Sequence, residues 1–193
     1  MVAGESMRKS TEGSCPTVLF AYLPPAGHRL AGVMDLNRKT RLGIFIAAAA
    51  IPLLVGGAAA FLARDGFGIY ALLHKPPLAP PAWVFPAVWT ALYLALGAAS
   101  YLVFVSGASA PRRARALRVY GAQLAASFFW PFLFFSLGLY MAAFLLALLL
   151  CALALVCVAM FGCISRPAGK LMVIYLLWLC YAAYLNLGVA LLN

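Results

Sequence analysis

The chain has 193 residues, of which 66% are hydrophobic and only 9% are charged. Soluble domains carry about 25% charged residues, so this composition excludes an ordinary soluble domain and indicates a single polytopic membrane bundle. The net charge of +10 does not indicate a nucleic-acid partner. The basic residues lie in the N-terminal segment and in short loops, where Lys and Arg set membrane topology, so the expected partner is membrane lipid.

Residues 1–40 form a polar segment of mixed charge. Pro24 and Pro25 interrupt its apolar patch, so the patch makes neither a membrane span nor a good signal peptide. We expect residues 1–40 to be a disordered cytosolic extension and residues 41–193 to form the membrane domain. A weak targeting role and an alternative start at Met34 stay open.

Five apolar runs follow, each near the 20 residues that cross about 30 Å of hydrocarbon. The predicted spans are residues 42–63, 82–105, 118–137, 139–161 and 170–192. Gly138 is the one evident break in an uncharged stretch from residue 119 to 165. The predicted fold class is therefore all-α, a polytopic bundle of five transmembrane helices.

Five spans place the two termini on opposite sides of the membrane. With the N-terminus in the cytosol, 12 of the 14 basic residues are cytoplasmic, and only Arg64 and Lys75 face the other side. The positive-inside rule therefore predicts a cytosolic N-terminus and a lumenal or exterior C-terminus.

Residues 75–93, KPPLAPPAWVFPAVWTALY, combine a proline-rich loop with the start of the second span. Because proline lacks an N–H and restricts the residue before it, residues 75–81 are predicted to be an extended or turning loop and not a helix. Pro86 falls in the first turns of the helix, where a missing donor costs little. Spacings of three, three and four residues place Trp83, Pro86, Trp89 and Tyr93 on one helical face.

Two more spans carry aromatic and polar side chains at helical spacing. The third has Gln123, Ser127 and Trp130, and the fifth has Tyr175, Trp178, Ala182 and Asn186. Trp89, Trp130 and Trp178 lie roughly 10–18 Å into their spans, too deep for the aromatic belt that Trp83 fits. Two interpretations carry equal weight on the residues alone: interhelical packing with polar side chains bonded across helices, or a shared ligand pocket.

The predicted spans lack the groups that most membrane chemistry requires. All four acidic residues precede the second span, and both histidines lie outside the spans. The five cysteines form no C-x-x-C pair. These patterns argue against a proton-coupled pump, paired-carboxylate catalysis and a metal site.

Small residues recur every four positions at Ala143, Ala147 and Cys151 in the fourth span. Such a seam favours either close helix approach or self-association into a homodimer.

Three blocks of residues carry a family resemblance. The first block is Tyr70-x-x-x-x-Lys75-Pro76, followed by Pro80-Pro81-x-Trp83-x-Phe85 and Trp89-x-x-Leu92-Tyr93. The second is Tyr120-x-x-Gln123-Leu124, followed by Trp130 and Phe134-Phe135. The third is Tyr175-x-x-Trp178, followed by Leu185-Asn186. In this order the blocks resemble the TspO/MBR family (translocator proteins, or peripheral-type benzodiazepine receptors) over residues 42–192. The polar N-terminal segment and the ISRPAGKL segment look more like plant members.

The resemblance implies a five-helix bundle whose first loop closes over a pocket for tetrapyrroles and other hydrophobic ligands, sterols among them. It places Tyr70, Pro80, Trp89, Gln123, Trp130, Trp178 and Ala182 on that pocket, and the helical faces add Tyr93, Ser127 and Asn186. Ser127, Ile174 and Ile69 replace the family's usual Asn, Pro and Trp, and Leu78 stands where many members have Trp. No Lys or Arg follows Tyr184, so the family's proposed cholesterol motif is incomplete.

The expected function is non-enzymatic binding of porphyrin or haem, without an obligatory cofactor, for sequestration, transport or stress-related regulation. The alternatives are a porphyrin-degrading enzyme and a structural bundle that binds protein partners. A plant-like member would lie in the ER or Golgi membranes; the mitochondrial outer membrane is the alternative.

Overall fold

The computed structural model describes residues 37–193, and the expectations for the preceding segment lie outside this range. The described chain forms six α-helices and no strand: α1 (Arg38–Ala63), α2 (Ile69–Leu72), α3 (Val84–Phe104), α4 (Ala110–Pro131), α5 (Tyr140–Ile164) and α6 (Arg166–Leu192). A 3₁₀ turn, Arg64–Gly66, extends α1, and a π-helical segment, Phe132–Ser136, extends α4. Five of the described helices are long and apolar enough to cross a membrane, which confirms the predicted fold class.

The first, third and fifth spans begin earlier than the sequence predicted; α1 starts at Arg38 and not at residue 42. The third was expected from residue 118, but α4 starts at Ala110 and contains the arginines that were assigned to a loop. The fifth was expected from residue 170, but α6 starts at Arg166. Both helices carry proline in their first turn, where its missing N–H costs nothing. Charged residues end the apolar run in the sequence, but they do not end the helix. The helix can continue because long basic side chains reach water beyond the hydrocarbon.

The break between the third and fourth spans lies at Gly138, as predicted. Gly138 has a φ of +63°, a backbone conformation that glycine adopts without a Cβ penalty. Just before it, α4 widens into the π-helical segment after Pro131. Since proline has no N–H to donate, the regular helical hydrogen bonding cannot continue through that residue.

Close backbone approach holds α5 against α6. A Cβ added to Gly169 would lie 2.7 Å from the Cα of Gly162, so only glycine fits at this crossing. The seam of small residues is also internal, because Ala143 and Ala147 are almost fully buried within the bundle. Ala143 and Ala147 therefore serve close helix approach, whereas Cys151, the third residue of the seam, is half-buried.

The segments that connect the helices at one end of the bundle contact one another. A Cβ on Gly66, after α1, would clash with the backbone carbonyl of Phe135, before α5. The backbone of His74, in the loop after α2, is hydrogen-bonded to the side chain of Asn193. The long helices therefore alternate in direction, and the loop between α2 and α3 covers the end where α6 terminates.

Candidate functional site

A pocket opens between α3, the end of α4 and α6, beneath the loop from α2 to α3. We call it the inner pocket; it encloses about 470 Å³, including the space at its mouth, and is lined by Tyr70, Lys75, Pro76, Ala79, Phe85, Trp89, Trp130, Phe134, Phe135, Trp178, Ala182, Leu185, Asn186 and Val189. The three helical faces thus converge, because Trp89, Trp130 and Trp178 line one cavity. Nearly all of the lining is apolar or aromatic, as ligand pockets for flat organic molecules are.

Trp130 is fixed in the wall of the inner pocket. Its indole Nε1 donates to Oδ1 of Asn186 at 3.2 Å, and the amide of Asn186 donates to the carbonyl of Ala182 at 2.7 Å. The ring stacks on Phe134, with centroids 5.2 Å apart and planes 23° from parallel. Trp130 therefore presents a preformed aromatic surface.

Trp178 differs from Trp130 in one respect that bears on ligand binding. Its indole Nε1 is buried and has no hydrogen-bond partner among the described residues. The ring contacts Phe85 at 6.5 Å and Tyr181 at 5.3 Å between centroids. A buried donor without a partner is costly, so a ligand acceptor that reached it would gain a hydrogen bond without displacing another.

Residues 73–83, here called the proline loop, close the pocket from outside. Three tyrosine hydroxyls donate to carbonyls of the loop: Tyr70 to Pro80 at 2.9 Å, Tyr181 to Leu78 at 2.7 Å and Tyr184 to Pro77 at 2.8 Å. The loop's carbonyls are available because its prolines prevent regular secondary structure. Side chains of α2 and α6 thus take the place of backbone hydrogen bonds in holding the loop down.

Further contacts hold the proline loop at a fixed distance from α6. Pro76 lies directly on Gly188, where an added Cβ would come within 2.5 Å of the proline ring. The side chain of Asn193 accepts from the N–H of His74 at 3.0 Å and donates to its carbonyl at 2.9 Å. Leu78 has a positive φ of 66°, which is strained for leucine. The loop is held in this conformation by its contacts, not by local preference.

A second cavity lies outside the first, between α2 and the proline loop. This outer vestibule spans about 800 Å³, opens to the surface, and is lined by Phe67, Tyr70, Ala71, Lys75, Ala79, Pro80, Pro81 and Ala82. Tyr70, Lys75 and Ala79 belong to both cavities and form the junction between them. Burial raises the pKa of the Tyr70 hydroxyl above its ordinary value, with a smaller contribution from Tyr181, so Tyr70 remains a donor at neutral pH.

The predicted site residues divide into two groups. Seven of the ten line at least one of the two cavities. Six of them line the inner pocket: Tyr70, Trp89, Trp130, Trp178, Ala182 and Asn186. The outer vestibule is lined by Pro80 and, at the junction, by Tyr70 again. The other three, Tyr93, Gln123 and Ser127, line neither of these cavities.

The residues outside the cavities make packing contacts. The ring of Tyr93 lies on Gly56 of α1, at a position where any Cβ would clash with it. Gln123 is fully buried and hydrogen-bonded to the Tyr175 hydroxyl. Ser127 donates to the carbonyl of Leu124 in its own helix, at 2.8 Å. Tyr93 and Gln123 thus make packing and interhelical contacts, and Ser127 is hydrogen-bonded within α4.

Sequence reasoning did not assign several lining residues to the site, chiefly Phe85, Phe134, Phe135, Leu185 and Val189. A signal was present: Leu185 and Val189 continue the α6 face beyond Ala182 at spacings of three and four. Phe134 follows Trp130 by four residues in the same way. Plain apolar side chains carry no distinguishing pattern inside an apolar span.

Within residues 37–193, no three His, Cys, Asp or Glu side chains come together as a metal site would require. Asp65, the acidic residue of the described range, is largely exposed and pairs with Arg64 at 3.5 Å. The candidate site offers a ligand aromatic faces, one indole donor without a partner among the described residues, and one lysine.

Together these features define a class: a five-helix membrane protein with a tryptophan-walled pocket beneath a proline-rich loop. The model of the TspO/MBR family matches residues 48–192. The chain is 37% identical to the translocator protein of Ovis aries over 127 residues, covering 65% of this chain and 75% of that protein. It is 32% identical to the tryptophan-rich protein TspO of Chlorobaculum tepidum over 133 residues, covering 69% and 84%.

A third relative, the tryptophan-rich sensory protein of Cereibacter sphaeroides, is 33% identical over 149 residues, covering 77% of this chain and 89% of that protein. The chain belongs to the TspO/MBR family, and it is a multi-pass membrane protein.

Proposed function

We propose that the protein binds tetrapyrroles, porphyrin or haem, in the inner pocket and sequesters or transports them without consuming them. The observation that carries the proposal is the convergence of Trp89, Trp130 and Trp178 on one cavity. A porphyrin is a large, flat π-system, and tryptophan provides the largest aromatic face available to a protein. Stacking a ring on an aromatic side chain contributes about 1–3 kcal/mol, so three such contacts supply about 3–9 kcal/mol, and the upper end of that range corresponds to micromolar binding.

The described side chains have different roles in this proposal. Trp130, fixed by Asn186 and Phe134, acts as a preformed stacking surface. Trp178 adds a hydrogen bond from its free Nε1 to an acceptor on the ligand. Apolar residues such as Leu185 and Val189 fill the remaining wall and keep water away from the macrocycle.

Ligand entry requires the proline loop to move. In the conformation described, the free space in the inner pocket is far smaller than a macrocycle. Three tyrosine hydrogen bonds hold the loop, and each contributes about 0.5–1.5 kcal/mol. Opening therefore costs a few kcal/mol, which thermal motion supplies on the microsecond-to-millisecond scale typical of loop opening.

Degradation of the ligand ranks below binding in this proposal. Neither of the two cavities is lined by a carboxylate or a histidine. Turnover would need tryptophan-radical or photochemical steps.

A titration with protoporphyrin IX tests the proposal. Purified protein in nanodiscs is titrated in the dark and under illumination, while tryptophan fluorescence and porphyrin absorbance are recorded together. We expect saturable quenching and an undiminished porphyrin spectrum. Loss of the spectrum would establish the degrading enzyme, and absence of quenching would favour the partner-binding bundle.

A matched control separates pocket quenching from nonspecific contact. Trp83 is 72% exposed and lines neither cavity, so Trp83→Phe should leave the quenching curve unchanged apart from baseline intensity. If instead Trp83→Phe abolishes the quenching, the porphyrin lies in the membrane surface and not in the inner pocket.

A further inference from the structure

Two free thiols lie next to each other in the membrane-spanning part of the bundle, away from both cavities. Cys151 of α5 is half-buried and Cys180 of α6 is exposed. The two thiol groups are close enough to interact across the helix pair. Neither cysteine lines the inner pocket or the outer vestibule, so the proposed function does not involve them.

The packing of α5 against α6 explains why these cysteines meet. Gly162 and Gly169 face each other where the antiparallel helices cross, because a Cβ on Gly169 would lie 2.7 Å from the Cα of Gly162. Cys151 precedes Gly162 by 11 residues, and Cys180 follows Gly169 by 11 residues. Eleven residues make about three helical turns, so each cysteine lies on the same face as its glycine, about 16 Å along the axis. The two cysteines are therefore at the same height on facing sides of the two helices.

This arrangement suits a disulfide between the helices. Packed helices lie about 8–10 Å apart between axes, and their Cα atoms lie about 2.3 Å from each axis. Facing Cα atoms can therefore reach the separation of about 4.4–6.8 Å that a disulfide requires. A bond between Cys151 and Cys180 would join α5 to α6 without a new helix arrangement.

Depth in the membrane determines which reactions this thiol pair can undergo. Cys151 lies 13 residues before the end of α5 and Cys180 lies 14 residues after the start of α6, so both are about 20 Å from those helix ends. An ionised thiolate is disfavoured in hydrocarbon, and thiol–disulfide exchange begins with attack by a thiolate. Transfer of a hydrogen atom, by contrast, moves a proton and an electron together and creates no charge.

Cys180 is placed to meet lipid acyl chains. It belongs to a stripe of exposed residues on α6, spaced by four, three and four, that contains Val173, Leu177, Cys180 and Tyr184. A continuous exposed stripe on a membrane span faces lipid. Unsaturated acyl chains are oxidised within the bilayer to peroxyl radicals, which abstract hydrogen atoms, and a thiol on this stripe is accessible to them.

We propose that Cys151 and Cys180 form a radical-trapping pair whose substrates are lipid peroxyl radicals and whose product is a disulfide between α5 and α6. A first peroxyl radical takes the hydrogen atom of the Cys180 thiol, which leaves a lipid hydroperoxide and a thiyl radical. The thiyl sulfur then bonds to the sulfur of Cys151, and a second peroxyl radical takes the Cys151 hydrogen.

The balance of this reaction requires both cysteines. Two thiols and two peroxyl radicals give one disulfide and two lipid hydroperoxides. Each sulfur is oxidised by one electron and each peroxyl group is reduced by one. A single thiol would stop at the thiyl radical, which could itself attack lipid, so the neighbouring thiol is what completes the trapping.

Oxidation in a defined membrane tests this proposal. The full chain in nanodiscs of dilinoleoyl phosphatidylcholine is treated with a lipid-soluble azo initiator, with the initiator plus a lipid-soluble phenolic scavenger, or with aqueous hydrogen peroxide. Free thiols are then blocked with N-ethylmaleimide, and unreduced peptides are analysed by mass spectrometry. Conjugated-diene absorbance of the lipid is followed in parallel. The variants are Cys180→Ala and, as a matched control, Cys157→Ala, since Cys157 is a free but fully buried thiol.

We expect the initiator to produce a peptide linked through Cys151 and Cys180 in wild type and in Cys157→Ala, and the scavenger to abolish it. Diene formation should begin later in wild type and Cys157→Ala than in Cys180→Ala. Absence of the linked peptide, a yield that the scavenger does not change, or an equal delay in Cys180→Ala would overturn the inference. Faster linkage by hydrogen peroxide than by the initiator would also overturn it. The wild-type peptide measurement stands alone if Cys157→Ala does not fold.

Discussion

Trp130 and Asn186 form a hydrogen bond that joins the end of α4 to α6 at the wall of the inner pocket. The indole Nε1 lies 3.2 Å from Oδ1 of Asn186, and the residues are 56 positions apart in the chain. Since Asn186 is 3% exposed, water cannot replace the bond. This pair therefore fixes both the distance between two helices and the orientation of one pocket tryptophan.

The first prediction concerns this pair. Asn186→Leu leaves the indole N–H of Trp130 without a partner, which should lower the free energy of unfolding by about 1–2 kcal/mol. Trp130→Phe removes the donor and keeps most of the ring. In a double-mutant cycle measured by thermal unfolding in detergent, the double variant should be less destabilised than the sum of the single variants. Strict additivity would show that the bond contributes nothing.

The second prediction concerns the tyrosines that hold the proline loop. Tyr181→Phe and Tyr184→Phe each remove one hydrogen bond to a loop carbonyl while keeping the ring. Because each bond contributes about 0.5–1.5 kcal/mol, association of porphyrin should accelerate by about 2- to 10-fold in stopped-flow fluorescence. Tyr101→Phe is the control, since the ring of Tyr101 packs on Phe45 of α1, away from the loop. Unchanged rates in both loop variants would mean that entry does not pass beneath this loop.

The third prediction uses the close approach of Pro76 to α6. Gly188→Ala places a Cβ 2.5 Å from the Pro76 ring and should push the proline loop outward. Limited proteolysis within residues 73–83 should become faster as a result. Gly57→Ala is the matched control, because a Cβ at Gly57 meets no atom within 4 Å. Equal cleavage of the two variants would show that the loop is not held at Gly188.

The extent to which the sequence predicted this structure differs between features. The spans, the break at Gly138 and the absence of a helix in the proline loop were predictable, because hydropathy, glycine and proline act through local physics. The start of α4 at Ala110 was not, because hydropathy reports the thickness of the bilayer and not the limits of helical hydrogen bonding. Contacts such as Tyr184 to Pro77 join residues 107 positions apart, and no local pattern encodes them.

The sequence predicted which helical faces line the candidate site, but not how far along each helix the site extends. Gln123 shares a helical face with Trp130 but lies seven residues earlier, about 10 Å along α4. One face of a long helix therefore passes from the pocket into the packed core, and spacing alone does not show where the pocket stops. On α3, Trp89 likewise lines the pocket, whereas Tyr93 packs against Gly56 of α1.

The fourth prediction concerns topology. The proline loop and the end of α6 share one end of the bundle, and Lys75 and Arg64 are the basic residues predicted on that side. Charge asymmetry predicts that this end is lumenal or exterior and that the N-terminus is cytosolic. Tags at the two termini, exposed to protease in sealed vesicles, should show opposite protection. Equal protection would contradict the orientation of five alternating spans.

The central claim is that deep tryptophans form a ligand site and do more than pack the bundle, and Trp178→Ala tests it most directly. Loss of one stacking face, about 1–3 kcal/mol, should weaken protoporphyrin IX binding by about 5- to 150-fold. Affinity and thermal stability are measured on the same detergent-solubilised protein, with the exposed Trp83→Ala as the control that should keep its affinity. Weakened binding by the folded Trp178→Ala protein is the predicted result. A lowered thermal stability with unchanged porphyrin affinity would contradict the account.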